Sequence, residues 1–224
     1  MSWTIEFPAG FNPDTCGDND EVYKLYSRLQ RAINSLAMKG VILLCATSDK
    51  GLNESSRTAP VYPGEFGYRS RDILTIGSGG SETKLPYTPV HFLFPGQDVP
   101  LEPDLGGKAS GSSVATAIAS GMAANIICMV DLVNQDKNRR LGGQVVSRDK
   151  ITTKMIAKAF TGLDGSPTMM LGVYDFHEIE MQASTWEMGG IADKDGRLSY
   201  EGLTSFKNLL QRIMPVNGRM MVPV

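Results

Sequence analysis

Residues 21–46 read EVYKLYSRLQRAINSLAMKGVILLCA, and the fold turns on this stretch. Its first part sets Val22, Leu25, Leu29, Ile33 and Leu36 at helical spacing, an apolar stripe on an otherwise polar segment, with Gly40 as the stop. Its last part, VILLCA at 41–46, has no polar residue to turn toward water, which is the pattern of a strand buried on both faces. Upstream, SWTIEF at 2–7 is a short β-favouring run, separated from the helix by the polar turn NPDTCGDND. Strand, helix and strand at these spacings make a βαβ unit, so an α/β chain with a mostly parallel sheet is expected, covered by the amphipathic helix.

Working outward, DILTIG at 72–77 and VHFLF at 90–94 are two further apolar runs bounded by Gly, Pro and Ser, and each reads as a strand. From Ser112 to about Val133 the chain is apolar around nearly its whole circumference, with Ala115, Ala117, Ala119, Ala123 and Ala124 permitting close packing. A helix buried on every side is expected there. ITTKMIAKAFTGL, 151–163, predicts one more helix, and beyond about residue 177 the pattern weakens into a tail rich in Met, Gly and polar residues. No internal repeat or low-complexity tract interrupts the chain.

With 224 residues, 42% of them hydrophobic, the chain has enough apolar matter for one core of ordinary size, so one domain and a tail are expected. Lys and Arg total 22 against 24 for Asp and Glu, and no basic block stands out, which argues against nucleic acid as a partner. The start, MSWTIEFPAGF, lacks the basic-then-apolar order of a secretory leader, and no uncharged stretch is judged long enough to cross a membrane. A cytoplasmic protein without a membrane partner is the expectation. Cys16, Cys45 and Cys128 are an odd set, the latter two in apolar segments, which fits free thiols in a reducing compartment.

The chemistry-bearing candidate is Ser113, in KASGSSVATAIASG at 108–121. A serine in the first turn of a helix holds its hydroxyl at the rim of the sheet and has an amide N–H without a helical partner. Both suit an acyl-transfer nucleophile, and Gly111 would allow the backbone to approach closely. A Gly-Ser-Ser before a helix is more often only a cap. The two histidines, His91 in a strand-like run and His177 at the start of the tail, have no spacing that brings either to Ser113, and neither is assigned a catalytic role. ADKDGRLSYEG, 192–202, is no calcium loop, because Gly196 at its sixth position would require acidic ligands where Ile191 and Gly202 stand. No metal and no cofactor are expected.

Four segments, in order, resemble the subtilisin-like serine proteases. GSSVATAIASG is similar to the family's serine motif, Gly-Thr-Ser-Met-Ala-(Thr or Ser)-Pro, with Ser113 in the nucleophile's place. VILLCATSDKG resembles the strand that ends in an Ala-Gly-Asn-x-Gly turn, YPGEFGYRSRDILTIGS the Tyr-Pro-Gly loop and following strand, and FLFPG the strand ending in Ala-Pro-Gly. MSWTI is similar to the strand whose edge holds the substrate peptide. The likeness covers residues 1–135 and more loosely continues to 165, and its nearest form is the intracellular subtilase domain at the end of larger multidomain chains. It implies a three-layer subtilisin-like fold over 1–165, incomplete at its N-terminal side, with 166–224 as an extension of unknown role.

The resemblance further implies a serine endopeptidase acting on a peptide or protein substrate through an acyl-enzyme. Ser113 would be the nucleophile, Asp49 would occupy the oxyanion-hole position, and Ser2, Trp3, Thr4, Ser48 and Gly111 would bind substrate. Three departures qualify it. Ala117 and Ile118 stand where Pro and His are common, both compatible with a helix. Asp49 replaces an Asn, and an ionised carboxylate cannot donate to an oxyanion. The family's Asp and His precede the strand corresponding to SWTIEF, so this sequence is expected to carry a nucleophile without its base, as an inactive fragment or pseudoenzyme whose partner would be the missing N-terminal half of the domain. The alternative is a non-catalytic, subtilase-derived module that binds extended peptides by β-addition.

Overall fold

A computed structural model describes residues 5–8, 11–17, 20–47, 61–69, 72–79, 90–101, 106–136, 148–164, 204 and 207–211. The chain divides into two compact units, Met1–Ser120 with Thr152–Lys154, and Gly121–Ile151 with Met155–Val224.

In the first unit, helix α1 spans Glu21–Met38. Asp20 caps it by accepting a hydrogen bond from the Val22 amide at 2.8 Å, and Glu21 adds a negative charge to the positive helix end. The stop is the expected glycine: Gly40 sits at φ 74°, a left-handed conformation that costs a residue without Cβ little. There the Gly40 amide donates to Ala37 O at 3.0 Å and the Val41 amide to Leu36 O at 3.1 Å, a Schellman closure that sets Val41 beside Leu36.

The face that α1 buries is rotated from the one its sequence suggests. Tyr26 and Ile33 are its buried residues, joined with Phe7, Cys45, Tyr62, Phe66 and Ile73 in one cluster, while Leu25 and Leu36 remain 48% and 40% exposed. The physical reason is aromatic. Tyr26 meets Tyr62 edge-on at 5.4 Å and lies 5.2 Å from Phe66, and Phe7 meets Tyr62 edge-on at 4.8 Å. Ring burial of this size outweighs a leucine on the flank.

Strand β1, Ile5–Glu6, pairs antiparallel with β3, Val61–Tyr62. Among the described residues it is therefore not the parallel neighbour of the following strand, as the βαβ reading required. The parallel sheet consists of β2 (Leu43–Ala46), β4 (Ile73–Gly79) and β5 (Phe92–Pro95), in the order β2-β4-β5. Central β4 is buried from Ile73 to Gly77, and helix α2, Gly64–Arg69, packs on β3 and β4. Within the described residues β2 is an edge strand, with Cys45 buried but Leu43, Leu44 and Ala46 only half-buried, so full burial on both faces is not reached. A small antiparallel ribbon, β6 (Val99–Pro100) and β7 (Lys108–Ala109), follows β5 and was not foreseen from the sequence.

Helix α3 spans Ser112–Asp136. Expected to be buried all round, it instead buries one stripe: Ser112, Ala115, Thr116 and Ala119 in the first unit, then Ala123, Ile126, Val130 and Val133 in the second. Its small residues on the other side, Ala117, Gly121 and Ala124, are exposed. The reading that no stretch is long enough for a membrane is also corrected, because Ser112–Asn134 is 23 residues with a mean hydropathy of 1.7, enough by length and composition alone. In the second unit Arg148 pairs with Asp131 at 3.0 Å, and α4 (Thr153–Asp164) contributes buried Ile156, Ala159 and Phe160. The chain is thus a mixed α/β protein containing a three-stranded parallel sheet.

Candidate active site

The three strands of the parallel sheet run the same way and end at Ala46, Gly79 and Pro95. In open parallel sheets the carboxyl edge is where ligands bind, because the connections diverge there and leave a crevice. The start of α3 is tied to that edge by three contacts. Gly111 N donates to Gly96 O at 2.7 Å, just beyond β5. The Ser112 hydroxyl donates to Thr47 O, just beyond β2, while Thr47 N in turn donates to Ile76 O of β4 at 3.0 Å. Finally, a Cβ on Gly96 would lie 2.6 Å from Ser78 Oγ, 2.8 Å from Gly111 O and 2.9 Å from Ala115 Cβ, so only glycine allows this approach.

These ties fix the phase of the helix. Gly111, at φ 134°, is the N-cap residue: its carbonyl accepts from Val114 N at 3.1 Å and Ala115 N at 3.2 Å. Ser112 and Ser113 are therefore the first and second helical residues, about 100° apart around the axis. Ser112 points inward, 2% exposed, and its carbonyl accepts from Thr116 Oγ1 at 2.7 Å. Ser113 points outward and is exposed at the carboxyl edge of the sheet. The capping role belongs to Gly111, so the cap explanation for Ser113 does not hold. Its hydroxyl stands beside a first-turn amide, at the positive end of a 25-residue helix.

Of the residues expected at the site, Gly111 and Ser113 are brought together. Ser2, Trp3, Thr4, Ser48, Asp49 and His177 lie outside the described residues. Sequence reasoning missed Thr47, Gly96 and Ser112, which position the helix; the Pro-Gly that ends FLFPG was the one available signal, since a glycine after a buried strand often marks a close backbone approach.

His91 has different work. Its Nδ1 accepts from Thr75 N at 3.0 Å and lies 2.7 Å from Thr75 Oγ1, while its own amide donates to Thr75 O at 2.9 Å. Accepting through Nδ1 assigns the ring proton to Nε2. The imidazole thus completes the β4–β5 ladder where β5 begins. Gly96 lies at the other end of that strand, about 16 Å away at the usual rise per residue, which separates His91 from the Ser113 edge. Cys45 is equally remote from nucleophilic chemistry: burial pushes its thiol up from 9.0 to about 12, and the thiol donates to Ala46 O at 3.3 Å. Among the described residues no three His, Cys, Asp or Glu side chains gather as a metal site.

The chain matches no model of a known protein family, and no curated protein is significantly similar to it. What the arrangement offers chemically is a hydroxyl and backbone donors at a helix start, with no histidine among the described residues at that edge.

Proposed function

We propose that this chain is the nucleophile-bearing part of a subtilisin-like serine endopeptidase domain, with a three-layer fold of that kind. The observation that supports this reading is the outward placement of Ser113 as second residue of α3 at the carboxyl edge of a parallel sheet, next in sequence to Ser112, whose hydroxyl is bonded to Thr47 O at the end of β2. Peptide-bond hydrolysis would begin with attack of Ser113 Oγ on the scissile carbonyl. The hydroxyl proton would pass to a base, and the amides of the helix start would face the oxyanion that forms. Among the described residues no histidine base stands at Ser113, since His91, the one described histidine, is committed to Thr75. The chain alone is therefore proposed to be catalytically silent, keeping at most the residual catalysis that survives loss of triad members, roughly 10³–10⁴ over water.

The test uses a fluorogenic peptide. This chain is expected to show no turnover above background. The same chain extended by the residues encoded immediately upstream is expected to cleave, with all cleavage lost in Ser113→Ala. Cleavage by the present chain that depends on Ser113 would overturn the silent assignment, whereas an extended chain that binds peptide without cutting it would favour the non-catalytic peptide-binding module.

A further inference from the structure

The rotation of α1 leaves a second stripe of that helix uncovered. Glu21, Leu25, Arg28, Ala32, Leu36 and Lys39 fall within one quarter of the helix circumference, and all six are exposed. Leu25 and Leu36 are the large apolar members, at 48% and 40% exposed, and Val41, itself 40% exposed, is held beside Leu36 by the closure at Gly40. Singly exposed leucines need no explanation. Two leucines eleven positions apart on one face, bracketed by charges of opposite sign, make a pattern that does.

We infer that this stripe of α1 is a self-complementary interface, on which a second copy of the chain docks through its own α1 in antiparallel orientation. The stripe is symmetric about a point near residue 30. Turned end for end, it sets Leu25 against the partner's Leu36 and Leu36 against the partner's Leu25, which is the reciprocal pairing that a two-fold interface requires. Within one residue of that register, about 1.5 Å along the axis, Glu21 comes opposite the partner's Lys39, and Lys39 opposite the partner's Glu21. Arg28 falls against the partner's Ala32, whose small side chain leaves room for the arginine stem to lie along the apolar strip with its head in water. Charge therefore selects the antiparallel over the parallel arrangement, in which Glu21 would face Glu21 and Lys39 would face Lys39. Opposed helix dipoles favour the same choice. Glu21 already pairs with Lys24 at 2.7 Å, but both side chains are well exposed and such a pair offers little resistance to exchange.

An 18-residue helix is about 27 Å long, so a contact confined to α1 lies at the small end of specific interfaces and yields a weak, concentration-dependent dimer. Sedimentation velocity on the whole 224-residue chain, from about 1 µM to about 500 µM, tests this. The wild type is expected to pass from monomer to dimer within that range. Leu25→Glu and Leu36→Glu should each weaken association at least about tenfold, since either buries a carboxylate in the contact. Glu21→Lys and Lys39→Glu should each weaken it by facing like charges, and the double reversal Glu21→Lys with Lys39→Glu should recover it, a result that general loss of folding does not produce. A wild type that stays monomeric, a dimer indifferent to Leu25→Glu and Leu36→Glu, or a double reversal no better than its single variants would each overturn the inference.

Discussion

The hydroxyl of Ser112 donates to the backbone carbonyl of Thr47, 65 positions earlier in the chain, and this one bond pins the first turn of α3 to the end of β2. Because Ser112 is 2% exposed, no water replaces the lost partner if the hydroxyl is removed. Its neighbour Ser113 points the other way, so two adjacent serines of the same motif carry opposite burdens.

Ser112→Ala should therefore destabilise the protein by about 1–3 kcal/mol, the cost of leaving a buried carbonyl unsatisfied, while Ser113→Ala should stay within about 0.5 kcal/mol of wild type. Denaturant unfolding of the two variants measures the difference. Equal effects would show that the bond to Thr47 does not hold the helix start.

Two glycines should respond in opposite directions. Gly96→Ala would bring a Cβ to 2.6 Å from Ser78 Oγ and 2.8 Å from Gly111 O, and one of these is backbone that cannot swing aside; a loss of about 1–3 kcal/mol is expected. Gly121 is exposed within α3, with nothing within 4 Å of the position a Cβ would take, so Gly121→Ala should gain about 0.5–1 kcal/mol through helix propensity and a less free unfolded chain. Melting temperatures that move the same way in both variants would contradict this account.

Burial of Cys45 has a consequence at alkaline pH. The unfolded chain releases the thiol proton near 9.0, whereas the folded chain holds it to about 12. Between these values the unfolded state binds fewer protons, so stability falls as pH rises, by up to about 1.4 kcal/mol per pH unit, and is fully present below 9.0. Relative to Cys45→Ala, the wild type should keep a constant stability difference below pH 9.0 and lose ground above it. In the native state Cys128, which is exposed, should react with a thiol reagent well before Cys45 does. Simultaneous labelling of the two would show that Cys45 is not enclosed.

Local physics made much of this chain legible. Gly40 ends α1 as expected because a left-handed glycine acts within a few residues of itself, and the apolar runs VILLCA, DILTIG and VHFLF became β2, β4 and β5 for a similarly local reason. The position of α3, and Ser113 in its first turn, also followed from the Gly-Ser-Ser that precedes a long apolar segment. Spacing could not say which flank of α1 would be buried, because Leu25 and Tyr26 compete for the core and the outcome rests on Tyr62 and Phe66, about 40 residues away in sequence. Nor could it say that β1 would pair antiparallel with β3, that His91 would serve Thr75, or which of Ser112 and Ser113 would turn inward. Each of these depends on a contact between distant segments: periodicity tells a helix that it has a face, and only the packed neighbours decide where that face points.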